Sequence, residues 1–450
     1  MGGDVSIRYF DESLPFISSE QEKTALLHSI ETLNKNAAWR WKHSHMEALS
    51  YQALLDAAIS GDGVFYCWWD PDYRDGQCYS GDVHTDLIDS TNLFVADVNS
   101  SDLQSQEYVI LAGRGDVDSL RREAMDAGAD EKTIARIVSD QSLGGCYSSD
   151  LGGCELPGAE KATFLIRFFR ENGEVVFEKS VKNALIKRVH TGLKLYPVAY
   201  FHWHNSKNCF HGSSPISDMV ANQKCINSAY AMALKHMSNT AFSKVIYDKS
   251  RIPEWSNEIG EAIGAMGGGN ISDAVSVVGV GEIQDGYLDL ITHVIENTKA
   301  MMGATDSALG DEQANNTSAI LALQSASAMN LAHVRVQFYR CISEIAAIWA
   351  DMLCTYCKSG RRLSILDADG TLRAENADYS LLKKALLYAS VDAGSTSRYT
   401  PSTTIATLDK LLQLGHLSAA EYIELLPPGV ISNRETILEK FYEKGASKNE

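Results

Sequence analysis

The densest set of side chains able to hold a metal or move a proton is His202-Trp203-His204, followed by Cys209 and His211. Imidazole and thiolate are ligands that zinc takes, and His202 and His204, two residues apart on an extended segment, would project from one face of a strand. That pattern points to a metal-dependent hydrolase. The competing reading is a β-segment whose imidazoles meet solvent or a neighbouring subunit, because no carboxylate close by in sequence completes a ligand set. Cys354-x-x-Cys357 has the spacing of a redox pair, yet it lies at i and i+3 of an apolar helical run with no strand leading into it, which favours core packing. Cys146 and Cys154 each follow Leu-Gly-Gly and have neither a CxxC partner nor a flanking histidine, so they belong to a loop. Gly61-Asp62-Gly63 and Gly113-Arg114-Gly115 read as turns, since neither completes the glycine patterns that cradle phosphate. With no Walker lysine, no GxSxG elbow and no HExxH pair, the reading is of a protein that is not an enzyme, with no cofactor and no metal.

The elements that must position these residues are set by a chain of 450 residues with 45% hydrophobic content, enough for a substantial core and for two or three modules. No run of about 18 uninterrupted apolar residues exists, and MGGDVSIRYFDESLPF has neither the basic flank nor the apolar stretch of a signal peptide, so a soluble intracellular protein with no membrane partner is expected. Nine scattered cysteines fit reduced thiols better than a disulfide framework. The formal charge of −18 argues against a protein that grips nucleic acid, because phosphate contacts need an excess of lysine and arginine. It is compatible with a surface past which DNA slides.

Ser19-x-x-Glu22 opens a helix carrying Leu26, Leu27, Ile30 and Leu33, continued with breaks to Ile59 and stopped at Gly61. Strands are expected at Val64 to Asp70, Val83 to Ile88 and Tyr108 to Ala112, and helix returns from 116 to 140. A Gly/Ser-rich loop spans 142 to 160. Strands follow at Thr163 to Arg170, at Val175 to Lys179 after the Asn172-Gly173 turn, and at Ala184 to Thr191. From Ser214-Pro215, apolar residues from Ile216 to Val245 recur at steps of three and four, predicting one long helix. An insert spans 247 to 285, with a helical turn from Pro253 and a strand from Ala274 to Val280, and Tyr287 to Met302 is helical again. After the polar stretch MMGATDSALGDEQANNT, Leu331, Val334, Phe338, Ile342, Ile345, Trp349, Met352 and Tyr356 predict a helix running from Ser318 to Ser359, roughly 60 Å long. The remainder reads as helical, opened by Thr400-Pro401, Ser418-x-x-Glu421 and Ser432-x-x-Glu435. The fold class is α+β, mainly helical, with one very long helix.

This order resembles the portal protein of tailed bacteriophages. The most specific segments are YPVAYFHWHNS leading to HGSSPISDMVANQKCINSAYAMALKHMSNTAFSKVIYD, with Gln223 and Asn227 on the helix where such portals often carry a Gln and an Asn. AAISGDGVFYCWWDP, IDSTNLFVADVNSSDLQSQEYVIL and TSAILALQSASAMNLAHVRVQFYRCISEIAAIWADML are similar to the wing of that family. The chain departs from it in reaching the first wing helix directly from MGGDVSIRYFDES.

The resemblance implies a homo-oligomeric ring, usually a dodecamer, at one capsid vertex. Residues 1–211 would be the wing, 212–246 and 286–302 the stem helices, 247–285 the clip, 303–317 the tunnel loop, 318–369 the long wing helix and 370–450 the crown. Thr305, Asp306, Ser307, Leu309, Asp311, Glu312, Gln313, Asn315 and Asn316 would face double-stranded DNA in the tunnel loop, a composition free of basic anchors that suits a sliding contact. Lys224, Lys235, Lys244 and Lys299 would line the stem channel. Arg251, Glu254, Trp255 and Glu258 would form the clip surface that meets the large terminase and later the head-tail connector. The major capsid protein is the remaining partner, and the expected location is the virion, after assembly in the bacterial host cytoplasm. A different structural virion protein is the alternative beside the hydrolase.

Overall fold

Ser19 starts the first long helix as its sequence demands: the hydroxyl caps the Glu22 amide, Glu20 and Glu22 occupy the first turn and Arg40, Lys42 and His43 the last. In the computed structural model that helix is α1 (Glu20–His43). After a left-handed His45 comes α2 (Met46–Ser60), which Gly61 ends at φ 103. The structure describes residues 6–17, 19–74, 80–140, 160–240, 244–256, 258, 263–278, 286–302, 331–357, 361–366, 372–385, 387–392 and 401–426. The tunnel-loop stretch, the first half of the long helix expected from Ser318, Cys146, Cys154 and the helix expected after Ser432 lie outside these residues.

The chain divides into two units, one of residues 1–212 and 334–450 and the other of residues 213–333. In the first, β1 (Ser6–Asp11) precedes α1, and β2 (Asp62–Asp70) and β3 (Asp82–Ile88) follow α2. Next come β4 (Leu93–Val95), β5 (Tyr108–Asp116), α3 (Val117–Asp126), α4 (Glu131–Ala135), β6 (Lys161–Glu171), β7 (Glu174–Val181), β8 (Ala184–His190) and β9 (Val198–His202). The segment expected as one helix over 116–140 is broken because Ala127-Gly128 caps α3, with Gly128 at φ 81. The strands form an antiparallel sheet in the order β3-β2-β9 and a five-stranded one in the order β4-β5-β6-β7-β8. Asn172 and Gly173, both at positive φ, make the tight turn between β6 and β7.

The core of this unit is organised by one helix in the second segment. Val334, Phe338, Ile342, Ile345, Trp349 and Met352, spaced three and four apart, are all buried, as are Leu26, Ile30, Leu33, Ala37 and Trp41 of α1. Two polar groups drawn into this core find partners there: the Trp349 indole donates to Thr85 at 2.9 Å and the Tyr9 hydroxyl to the Ala346 carbonyl at 2.9 Å. Arg40, almost wholly buried, meets Asp82 at 2.9 Å. Cys354 and Cys357 point into the same core, where burial pushes their thiols up to about 12 and about 11, the wrong direction for a redox pair.

The end of the chain is not all helical. After β12 (Arg362–Leu366), β13 (Leu372–Asn376) pairs back on it as a hairpin. β14 (Leu387–Asp392) then runs antiparallel to β1, with Ile7 opposite Val391 and Tyr9 opposite Ala389. Helices Pro401–Gln413 and Ala419–Leu425 follow, the second with the expected Ser418/Glu421 capping box.

Candidate functional site

The second unit is built from two helices and a small hairpin. Ser214 caps the first helix, α5 (Pro215–Thr240), its hydroxyl accepting the Ile216 amide at 3.0 Å, with Pro215 at N1. The second, α6 (Gly286–Met301), packs on α5 through Ala229 and Ile291, each 3% exposed. Asn222, early in α5, donates to the Thr298 hydroxyl near the end of α6 at 2.9 Å, so the helices run in opposite directions. Gln223 donates to Asn227 at 2.9 Å one turn further on, joining the two residues that the family resemblance singled out.

The first helix is shorter than expected. It ends at Thr240, and Lys244–Tyr247 is strand β10, paired antiparallel with β11 (Val275–Val278) so that Lys244 lies opposite Val278 and Tyr247 opposite Val275. Lys244, predicted on the stem helix, is therefore on the hairpin. Among the described residues, 253–256 do not form the helical turn expected at Pro253. Instead Asp248 folds the chain back by accepting the Ser250 amide and hydroxyl at 2.9 and 2.6 Å, contacts that hold its carboxyl below the ordinary aspartate value. Of the predicted clip residues, Glu254 and Glu258 are exposed, Arg251 is half-buried, and Trp255 stacks on Tyr247 at 5.3 Å.

Three predicted channel lysines, Lys224, Lys235 and Lys299, are exposed on the helices. At about 100° per residue, Lys224 and Lys235 sit within about 20° of one another on α5 and about 16 Å apart along it, roughly opposite Asn222 and Ala229. Between these faces runs a stripe of exposed apolar side chains: Ile216 43%, Val220 43%, Tyr230 48%, Leu234 65% and Met237 52%. Periodicity alone could not separate this stripe from the face packed on α6, because both satisfy steps of three and four.

The histidine cluster lies in the first unit and has a partner that sequence reading missed. Asp62, 3% exposed at the start of β2, receives His202 Nδ1 at 3.4 Å on one oxygen and His211 Nδ1 at 2.9 Å on the other, and it accepts the Gly212 amide at 2.7 Å. Burial pushes its carboxyl up, but hydrogen bonds from His202, Gly212, His211 and Tyr200 outweigh this and hold it below the ordinary aspartate value. The carboxylate absent from the local sequence thus arrives from 140 residues away, and no local signal beyond its two flanking glycines marks it. It ties the imidazoles to the fold. His204 lies beyond the end of β9 and is exposed, and Cys209 is half-buried. Among the described residues, no group of three or more His, Cys, Asp or Glu side chains is placed to hold a metal ion.

Residues 194–384 match the family model of the phage P22-like portal protein. That stretch begins just before β9 and takes in the whole second unit and the core helix from Val334. No curated protein matches the chain. Among solved structures, a chain of the virion of a native gene transfer agent particle aligns at 10% identity and a TM-score of 0.34, covering 84% of this chain and 79% of that one. One from the neck of the native particle computed with C12 symmetry aligns at the same identity and score, covering 94% and 86%. Likenesses of this depth bear on neither activity nor assembly.

Proposed function

We propose, from the match of residues 194–384 to the family model of the phage P22-like portal protein, that this chain is the subunit of a portal: a non-enzymatic ring at one capsid vertex through which double-stranded DNA enters and leaves. In this reading the second unit lines the channel. α5 and α6 are the stem, the β10–β11 hairpin and the residues up to 285 are the clip, and residues 303–317 are the tunnel loop.

The observation that carries the reading, beside the family match, is the apolar stripe on α5. Five large apolar side chains that stay at least 43% exposed along one helix are more than scattered surface residues, and a second copy of the chain would cover them. A closed ring joins unlike faces of neighbouring subunits. α5 has the required asymmetry: one face is packed on α6, the stripe lies to one side, and Lys224 and Lys235 lie beyond it, where they would present rings of positive charge to passing phosphate. The resemblance supplies the expected count of about twelve.

In the same proposal the acidic clip surface around Glu254 and Glu258 docks the large terminase and then the head-tail connector. The first unit meets the major capsid protein as the wing, and residues 370–450 face the capsid interior as the crown, with the strands at 372–376 and 387–392 built into that part. Assembly would take place in the bacterial host cytoplasm and the ring would remain in the virion. Native mass spectrometry tests the assembly: a ring gives a mass that is a multiple of 49.3 kDa near twelve, and a chain that stays at 49.3 kDa at every concentration and salt overturns it.

A further inference from the structure

Asparagine precedes glycine at one place in the 450 residues, Asn172-Gly173, and the fold sets that pair at the tip of the β6–β7 hairpin. Glu171 pairs with Glu174, so only two residues make the turn, and both stand at positive φ, 53 for Asn172 and 86 for Gly173. Both are exposed. A Cβ built on Gly173 would meet nothing within 4 Å, and among the described residues no hydrogen bond occupies the Gly173 amide or the Asn172 carboxamide. A main-chain nitrogen able to act as a nucleophile and an unshielded amide carbon thus sit on adjacent residues, both open to water.

Other asparagines in the chain are natural controls. Asn208 is also exposed and also left-handed, at φ 54, but Cys209 follows it, and the Cβ of that residue crowds the same approach. Asn99 precedes Ser100, and its carboxamide donates to Asp97 at 3.2 Å. Asn172 has neither restraint. What keeps its reacting atoms apart is the hairpin itself, and the tip is where a ladder opens most often.

We propose that Asn172 is a site of spontaneous deamidation. The Gly173 amide gives up its proton and its nitrogen bonds to Asn172 Cγ; the Cγ–Nδ2 bond breaks and the side-chain nitrogen departs as ammonia. Water then opens the five-membered imide. Breaking the bond from Cγ to the Gly173 nitrogen gives aspartate, and breaking the bond from the main-chain carbonyl carbon gives isoaspartate. Nothing is oxidised or reduced, and water is the one co-reactant.

The two products act differently on the hairpin. Aspartate suits this turn as asparagine does, and it sets a third carboxylate between Glu171 and Glu174, on a tip where Arg188 meets Glu171 at 2.6 Å. Isoaspartate adds a backbone carbon to a two-residue loop, which disturbs the Glu171–Glu174 pairing that closes β6 on β7. The site therefore records the age of the chain, as a change of charge or of register.

Peptide mapping by mass spectrometry tests this on the full chain, incubated under mildly alkaline conditions in water enriched in heavy oxygen. The expected result is uptake of heavy oxygen at residue 172 about ten-fold faster than at Asn208 or Asn99, with isoaspartate among the products. Asn172→Gly keeps a residue that accepts positive φ and removes the carboxamide. It is expected to abolish uptake at 172 and leave amide exchange over 161–190 as in the parent. Residue 172 staying intact in the folded chain, while the same chain held in guanidinium chloride converts there, overturns the proposal. So does conversion no faster than at Asn208. Aspartate without isoaspartate also overturns it, because that outcome is direct hydrolysis of the side chain without the ring.

Discussion

If the α5 stripe is the seam between subunits, replacing Tyr230, Leu234 and Met237 together by glutamine should dissolve the ring and spare the subunit. These side chains are 48%, 65% and 52% exposed in the isolated chain and lie within about 60° on the helix. Full burial of a large apolar side chain is worth about 1.5–3 kcal/mol, so covering the exposed part of each contributes about 1–1.5 kcal/mol and the three together about 4 kcal/mol per interface. That corresponds to a loss of about three decades in the association constant of each contact. The subunit loses little, because glutamine keeps the helix propensity of leucine and methionine and exposed substitutions move stability by about 0.5 kcal/mol. Sedimentation velocity over a wide range of concentrations, with circular dichroism on the same samples, reads both effects. A triple variant that assembles at the same concentration as the parent refutes the assignment of the stripe. One whose helical signal collapses shows instead that the stripe is packed within the subunit.

Arg40 and Asp82 make a buried ion pair at 2.9 Å, with Arg361 a second, more distant cation 4.0 Å from the same carboxylate oxygen, so Arg40→Ala should cost about 3 kcal/mol, the low end for breaking a buried pair, in urea unfolding of the first unit, while a loss under about 1 kcal/mol would show the pair to be idle. Glu344 on the core helix is pushed up to about 7, first by burial and further by Asp102, against the opposing pull of Arg340. Its raised value means that stability is fullest below the ordinary glutamate range and declines as pH rises to about 7. Glu344→Gln should therefore melt above the parent at pH 8, with the gap closing near pH 4.5, and a gap independent of pH would contradict this. Changing Lys224 and Lys235 to glutamine should leave rings intact but alter the salt dependence of DNA translocation, and an unchanged dependence would remove them from the channel wall.

How far the sequence could be read depended on whether the deciding partner was local. Ser214-Pro215 and the heptad-like steps through Val334, Phe338, Ile342 and Ile345 announced their helices because caps and periodicity are local properties. The end of α5 was misplaced for the same reason: Val245 satisfies the helical step, but pairing of Lys244–Tyr247 with Val275–Val278 prevails, and that partner lies some thirty residues on. Residues 387–392 alternate Leu387, Ala389 and Val391 as a strand should, yet their partner β1 is at the opposite end of the chain, and the segment passed for helix. His202 and His211 drew attention as metal ligands, a role for which no third ligand is placed among the described residues. Asp62, hidden between two glycines, looked like part of a turn because its partners His202 and His211 come from 140 and 149 residues away.

The most direct test of the account is electron microscopy of the purified chain, with class averages scored for rotational symmetry. The account predicts closed rings of about twelve subunits around an open axial channel, with α5 nearest the axis. Compact single particles without a ring would contradict it.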